Sequence, residues 1–508
     1  MAGTGDLRAS DVEADSTGST EAADARMGRK ARGAHGLSRR DALGRMVAGA
    51  LAAAAGTALT AFGGGTSAAA GLTARRGRAA GVSPVSITVG LYQSTDATTW
   101  AKIMKVAIPL FEKSHRGITI NFQPAPTSTN LQQKLITMYA AGVMPDIIQD
   151  CCADMPVFAS QGMLVNLMPY ITKSWPQNWK QDFLASQINA LYMDAPYNAG
   201  QFALPTYCGT MVLYYNAARL KQHHVAAPDA SWTFADYAAA FEKISAPSKR
   251  QWGAMLPWVD DSRFAAELLH PYGARLVDAA NNTKCAVDTK QGVEAVTWYY
   301  DQVYRTKSVV PFNAGNWGAP TFGTLAEQGI FGTGLVGFMG EGSWLLSRVV
   351  SAVGNSFPWN VAPPPLGPAG RGGLSTTDGY GISSKSKHPE EAWQVLSWMT
   401  GDEFSKLLID IAFLQPARKS LIPYYQTFAR QAYPGLKKID LSAFTDGITL
   451  GWATPEQLFR YEAQAMLAYS AVMSQSLWSI TSAYTPAQIC HDLATQIDAS
   501  QVQAAAGH

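Results

Sequence analysis

Five carboxylates stand where they could bind or cleave a hydroxyl-rich molecule. Two carboxyl groups facing each other would suit glycoside hydrolysis, in which one protonates the leaving oxygen and the other attacks or activates water. A single carboxylate would instead hydrogen-bond ligand hydroxyls or lie in solvent. Because such pairs meet only in space, the sequence leaves the catalytic role open, and we favour the second role. The five are Asp150, Asp154, Asp260, Asp261 and Glu341.

The aromatic residues are more informative, with 14 Trp and 20 Tyr in 508 residues. Several stand beside glycine, proline or turn residues, where loops carry functional side chains. A flat ring there could stack on the C–H patches of a sugar while fixed polar groups bind its hydroxyls. Trp393 and Trp398, by contrast, follow an amphipathic helix pattern typical of a core. The loop aromatics are Tyr207, Trp258, Trp344, Trp359, Tyr380 and Trp452.

Other motifs give no support for a cofactor or metal. Residues 332–337 read G-T-G-L-V-G, but a dinucleotide site needs a strand before the glycines and a helix starting within them. Here the apolar run follows the first glycines instead. The adjacent His223 and His224 would diverge on a helix. No metalloprotease, serine hydrolase or P-loop motif occurs, and we expect neither cofactor nor metal.

Charge and cysteine content limit the classes of binding partner, disulfide and metal site that the chain could have. The 40 Lys and Arg nearly balance 38 Asp and Glu, and no basic run follows residue 80, so we expect no nucleic acid partner. Five cysteines are too scattered for a disulfide framework or a zinc site. Small buried side chains are the expected role, while one disulfide between Cys208 and Cys151 or Cys152 stays open because export would permit it.

The N-terminal segment has the features of an export signal. Arg39 and Arg40 precede a weakly apolar run, rich in Ala and Gly, at 46–62. This order is typical of a twin-arginine (Tat) signal, and the run falls short of the ~20 apolar residues that span a bilayer. No cysteine follows to carry a lipid. We expect an exported protein, periplasmic or extracellular, whose leader at 1–80 is either cleaved or kept as an anchor.

Alternating strand and helix patterns must position these side chains. From residue 84 on, this alternation indicates βαβ units with largely parallel strands. The residues 363–373, rich in Pro and Gly, are expected to form a linker. Period-2 patterns and short apolar runs predict strands at 87–91, 118–122, 145–148, 211–215, 335–339 and 379–383. Helical patterns are found at 98–114, 131–139, 232–244, 292–306, from 389 and from 455.

Several blocks in this order resemble the family 1 extracellular solute-binding proteins of ABC transporters, the sugar-binding, maltose-binding-protein type. The resemblance spans nearly all of residues 85–500, and the ordered set is more specific than any single block. The blocks are 141–148 (AGVMPDII), 162–167 (GMLVNL), 201–205 (QFALP), 340–344 (GEGSW), 365–371 (PLGPAGR), 379–383 (GYGIS) and 387–393 (KHPEEAW).

The resemblance implies an α/β, two-lobe periplasmic-binding-protein fold of type II, with parallel-rich sheets, flanking helices and an interlobe hinge. We expect residues 84–206 and 379–418 in lobe 1, residues 207–365 and 419–508 in lobe 2, and 366–378 as hinge-linker. On that alignment the chain crosses between lobes near 207–210, 366–378 and 415–419. Hinge closure would bury a ligand whose hydroxyls all need partners.

The same resemblance implies a set of ligand-binding residues. Trp344 matches the family's sugar-stacking tryptophan most closely, with Glu341 near the same ligand face. Asp150 replaces a cleft tryptophan of the family, so hydrogen bonding is expected there. The remaining positions line the cleft, the hinge or the start of a C-terminal helix. They are Gln93, Ser94, Tyr207, Trp258, Asp378, Tyr380, Phe459 and Arg460.

These expectations define a primary hypothesis and two alternatives. The first is a non-enzymatic, monomeric receptor that delivers a sugar or oligosaccharide to the membrane permease of an ABC importer. The second is a secreted carbohydrate-active enzyme, which a carboxylate pair ~5–10 Å apart in the cleft would favour. The third is a sensor that presents its closed form to a signalling partner.

Overall fold

The chain is described here from a computed structural model. The described residues are 84–91, 97–124, 131–151, 154–193, 199–260, 263–313, 316–317, 322, 325–432 and 434–506. The export signal expected at 1–80 lies outside them. Within these ranges, no helix combines the length and the apolar character needed to cross a membrane.

Strands and helices alternate along the chain, as the sequence predicts. The strands are β1 (Val85–Leu91), β2 (Ile118–Pro124), β3 (Ile147–Cys151), β4 (Tyr192–Met193), β5 (Gly200–Gln201), β6 (Leu204–Asn216), β7 (Trp252–Met255), β8 (Phe312–Asn313), β9 (Asn316–Trp317), β10 (Val336–Gly342), β11 (Trp359–Ala362), β12 (Leu366–Gly367), β13 (Gly370–Arg371), β14 (Ser375–Ile382) and β15 (Gln415–Pro416). The α-helices are α1 (Ala97–Ser114), α2 (Leu131–Ala140), α3 (Asp154–Ser160), α4 (Met168–Ser174), α5 (Ala185–Ala190), α6 (Ala217–Gln222), α7 (Phe234–Ile244), α8 (Lys290–Tyr300), α9 (Glu327–Gly332), α10 (Leu346–Val353), α11 (Pro389–Met399), α12 (Asp402–Ala412), α13 (Ile422–Ala432), α14 (Ser442–Thr449), α15 (Glu462–Gln475) and α16 (Pro486–Ala506).

Among the described residues, nine strands form one sheet in the order β2-β1-β3-β14-β6-β10-β7, with β11 and β15 also paired to β6. Parallel pairs join β1 to β2 and β3, and β10 to β7, as βαβ units require. Antiparallel pairs join β14 to β3 and β6, and β6 to β10. The antiparallel pairs therefore lie where β6 and β14 connect the two halves of the sheet.

Separate apolar cores identify two lobes. In the first lobe, the sheet half with β1 packs against α1, α11 and α12 on one face and against α2 and α3 on the other. In the second lobe, the half with β10 packs against α7, α8, α15 and α16 on one face. Its other face packs against α9, α10, α13 and α14. The predicted α/β, two-lobe fold is confirmed.

Three elements differ from the sequence predictions. Strand β6 begins at Leu204 rather than at 211, because its first half is held by pairing with the distant β14 and β15. The predicted linker at 363–373 contains the hairpin of β12 and β13. The helix expected from 455 begins only at Glu462, whose Oε2 accepts a hydrogen bond of 2.6 Å from the backbone N–H of Phe459.

Candidate functional site

The two long strands at the crossing, β6 and β14, form the floor of the site. All 13 residues of β6 are buried. Directly paired residues project to the same face of a sheet, and Tyr207 pairs with Asp378 while Gly209 pairs with Thr376. The side chains of Tyr207, Asp378 and Thr376 therefore share one face of the sheet, on which Gly209 contributes no side chain.

A hydrogen-bonded group of three polar side chains lies at the first-lobe end of this floor. Gln149 Nε2 lies 3.1 Å from the Tyr207 hydroxyl oxygen and 3.3 Å from Asp378 Oδ1, and it donates to both. Burial raises the pKa of Asp378 to about 7, although a hydrogen bond from Tyr207 opposes this. The Asp378 carboxyl is therefore expected to titrate near neutral pH.

The Trp344 indole lies against the crossing from the second lobe. It stands in the turn Ser343–Leu345, directly after β10. A Cβ atom placed on Gly209 or Gly342 would overlap the Trp344 ring, so the ring lies directly against the backbone at both glycines. The ring also contacts both second-lobe cores and remains half-buried. Glycine at 209 is thus required for the close approach of ring and strand.

A charged group adjoins this ring. Arg263 forms an ion pair with Asp260, and its Nη2 lies 3.3 Å from Glu341 Oε1. Its guanidinium carbon lies 5.8 Å from the Trp344 ring centre, within cation–π range. The side chains of Arg263 and Asp260 are 14% and 17% exposed, whereas that of Glu341 is 2% exposed. Donor, acceptor and flat ring are therefore adjacent.

Electrostatics in this group favour a charged guanidinium. Burial opposes the charge of Arg263, but Asp260 and Glu341 together hold its pKa above the ordinary value. Burial raises the pKa of Glu341 to about 7, with Arg263 opposing the shift. Burial likewise raises the pKa of Glu267 to about 8, although its Oε1 accepts a 2.6 Å hydrogen bond from the Leu374 backbone.

The sequence analysis missed Arg263 as a site residue. The available signal was the spacing of Asp260 and Arg263, which places the two side chains three positions apart at the start of a helical turn. The contact of Arg263 with Trp344, 81 positions further along the chain, depends on the fold. Glu341, one of the predicted site residues, lies in this group, because it bonds Arg263 and the backbone of Gly342.

Other predicted residues lie in apolar cores. Trp258 is 1% exposed and packs against Phe234 and Trp298, with ring centres 6.2 and 6.0 Å away. Tyr380 is 0% exposed and belongs to the first-lobe core. Neither ring is therefore exposed for stacking on a ligand.

Phe459 and Arg460 lie beside a different segment of the second lobe. Phe459 is buried, and Arg460 is exposed with its backbone N–H bonded to Asn282. Both precede α15 instead of opening it, which corrects the predicted start of that helix.

The remaining predicted residues are described in part or lie outside the described residues. Gln93 and Ser94 are outside the described ranges. Asp150 pairs through its backbone with Gly379 of β14, and its side chain is likewise outside the description. Cys208 carries a free thiol next to the carbonyl of Pro416. Within the described part of the chain, no group of three or more His, Cys, Asp or Glu could hold a metal ion.

Comparison with known proteins gives a family match and several relatives. The family described as bacterial extracellular solute-binding protein matches residues 93–405. A Brucella abortus protein named as a binding protein is 24% identical over 362 residues, which cover 71% of this chain and 80% of the relative. An uncharacterised lipoprotein of Streptomyces antibioticus is 26% identical over 271 residues, covering 52% and 56%.

Solved structures are similar in fold. An ABC substrate-binding protein from Listeria monocytogenes, in complex with cycloalternan, aligns with a TM-score of 0.67 and 19% identity over 82% of this chain and 99% of its own. A cyclic α-maltosyl-1,6-maltose binding protein from Arthrobacter globiformis has a TM-score of 0.65 and 17% identity, covering 83% and 100%. The GacH receptor of Streptomyces glaucescens, solved unliganded and with acarbose, has a TM-score of 0.64 and 19% identity, covering 82% and 99%.

Proposed function

This chain belongs to the bacterial extracellular solute-binding proteins, and on that premise we propose that it binds a sugar or oligosaccharide between its lobes for an ABC importer. The observation that carries the proposal is the half-buried Trp344 ring lying on Gly209 with Arg263 and Asp260 beside it. A ring face for stacking and a fixed donor and acceptor for hydroxyls are what a saccharide needs. The carbohydrate ligands named for the similar structures support this class.

The proposed site draws on both lobes. Trp344, Arg263 and Asp260 would contact the ligand from the second lobe, with Glu341 holding Arg263 in place. Tyr207 and Asp378 would form the floor, and Gln93, Ser94 and Asp150 would face the ligand from the first lobe. Trp258 and Tyr380 would support the site through packing, and Phe459 and Arg460 are the most peripheral members of the set.

Partners and cellular location follow from the same proposal. The family is extracellular, and we propose export through a twin-arginine signal to the periplasm or the outer face of the cell. The monomeric receptor would dock on permease subunits of an ABC importer after closing. Because this family binds solutes, the proposal favours a receptor over the secreted carbohydrate-active enzyme.

A ligand screen with one variant pair tests the proposal. Melting temperature is measured with mono- and oligosaccharides, glycerol phosphodiesters and polyamines, and hits are titrated by calorimetry. We expect a carbohydrate to stabilise the protein. Trp344→Ala should weaken the affinity for that carbohydrate at least about 10-fold, since aromatic anchors commonly contribute about 2 kcal/mol or more to binding. Trp344→Phe should retain most of the affinity.

The control is Trp179→Ala, which removes a half-buried first-lobe tryptophan packed on Trp175 and Phe183. Its affinity should equal that of the wild type. Stabilisation by a non-carbohydrate alone would overturn the substrate class. Recovery of a cleaved sugar after incubation would favour the enzyme instead.

A further inference from the structure

The lining of a polar pocket in the second lobe includes neither Trp344 nor the charged residues beside it. Its volume is about 370 Å³, within the range of ~300–1,000 Å³ typical of small-molecule sites. It opens between the segment 270–282 and the segment 454–458. Its polar lining residues are His270, Arg275, Asp278, Asn282, Glu456 and Gln457.

Hydrogen bonds hold the two walls of this pocket together. Gln457 Oε1 accepts from the backbone N–H groups of Leu276 and Val277, each at 3.1 Å. The second wall is in turn bonded to the crossing, because Thr454 donates to Gly373 O at 2.9 Å and accepts from Ser375 N at 2.8 Å. The pocket is therefore a fixed part of the lobe and borders the start of β14.

The pocket offers both hydrogen-bond donors and acceptors. Arg275 Nε donates to Val277 O at 3.1 Å, which fixes the plane of the guanidinium beside the pocket. Burial and then Arg275 lower the pKa of His270, which favours the neutral imidazole that can both donate and accept. Asp278 is held by the backbone N–H groups of Ala280 and Asn281.

We propose that this pocket is an accessory binding site for a neutral, hydroxyl-rich small molecule of the size of one sugar unit. Arginine, carboxylate, amide and imidazole groups together match hydroxyls that both donate and accept. The carboxylates of Asp278 and Glu456 disfavour an anion, and no Phe, Tyr or Trp side chain lines the pocket for stacking. The site acts independently of the ligand proposed to bind at Trp344.

Hydrogen–deuterium exchange of the full chain with D-glucose or D-glucuronate tests the site. We expect glucose to slow exchange saturably in peptides covering 270–282 and 454–458, and glucuronate to do so at least about 10-fold less tightly. The protection should persist in Trp344→Ala, and it should be lost in Arg275→Ala. Arg275→Lys keeps the charge without the planar fork, so it should bind more weakly than the wild type.

Arg305→Ala, an exposed arginine paired with Asp301 in the same lobe, is the matched control and should bind like the wild type. Unchanged melting temperatures would show that the Arg275 variants fold. The inference is overturned if neither sugar protects these peptides, if only glucuronate does, or if protection disappears with Trp344→Ala. If Trp344→Ala bound carbohydrate in the ligand screen as tightly as the wild type while these peptides stayed protected, only the proposal for the site at Trp344 would be refuted.

Discussion

Arg263 is the residue on which the charge balance beside Trp344 depends. It forms ion pairs with Asp260 and Glu341, and its charge also opposes the raised pKa of Glu267. A buried carboxylate without its cation is strongly destabilising. Arg263 therefore has a structural role in addition to its proposed contact with the ligand.

We expect Arg263→Met to lower the free energy of unfolding at pH 8 by about 3 kcal/mol, because Glu341 and Asp260 lose their shared cation. Urea denaturation measures the change. Arg305→Met is the control, since Arg305 forms an exposed pair with Asp301 and should cost less than about 0.5 kcal/mol. Equal losses in the two variants would contradict the assigned role.

Asp378 makes stability depend on pH. Its pKa is about 7 in the folded protein and 3.8 as an ordinary carboxyl, so folding favours the protonated form. Its stabilising contribution is complete below the ordinary pKa and is lost as pH rises through about 7. Between about pH 5 and pH 8, the free energy of unfolding should fall on the order of 2 kcal/mol more in the wild type than in Asp378→Asn.

Urea titrations across this pH range measure the difference. Asp229→Asn is a suitable control, because hydrogen bonds from Ser231 lower the pKa of that exposed carboxyl. Asp229→Asn should therefore show the same fall in the free energy of unfolding over this pH range as the wild type. Parallel pH profiles for the wild type and Asp378→Asn would show that Asp378 does not titrate in this way.

At the scale of elements, the half of β6 nearest Trp344 has no room for a side chain at Gly209. A Cβ at Gly209 would overlap the indole ring and lie 2.6 Å from Thr376 Oγ1. Gly209→Ala should therefore displace the ring, costing roughly 1–3 kcal/mol of stability and weakening ligand affinity about 10-fold. Calorimetry and urea denaturation measure the two effects.

Gly435→Ala is the comparison, because a Cβ there meets nothing within 4 Å. It should leave both stability and affinity close to wild-type values. If Gly209→Ala bound ligand as tightly as Gly435→Ala, ligand binding would not depend on the contact between the Trp344 ring and β6.

Sequence predicted the elements better than it predicted their contacts. The positions of β1, β2, α1 and α7 follow from local periodicity, which depends on neighbouring residues alone. The first half of β6 was missed because Gly209 and Pro205 interrupt the pattern, and its hydrogen bonds go to β14, more than 160 residues away along the chain. The assignment of Trp258 shows the same limit, since its neighbour Trp298 is known only from the fold.

At the scale of the whole molecule, the crossing strands permit a hinge between two independently packed lobes. A saturating ligand should lower the radius of gyration measured by small-angle scattering, because closure brings the lobes together. Trp344→Ala should need more ligand to reach the same compact state. A radius that stays constant while calorimetry reports binding would show a rigid receptor.

The place of β14 in the first lobe has a consequence for biosynthesis. Strands β3 and β14 are neighbours in the sheet, yet Asp150 and its partner Gly379 are separated by most of the second lobe's sequence. During translation, β3 at the edge of the N-terminal part of the sheet has no partner on its outer side until the intervening chain and β14 have been synthesised. Such long-range pairing slows folding, and until it forms the nascent protein exposes apolar surface that chaperones can bind.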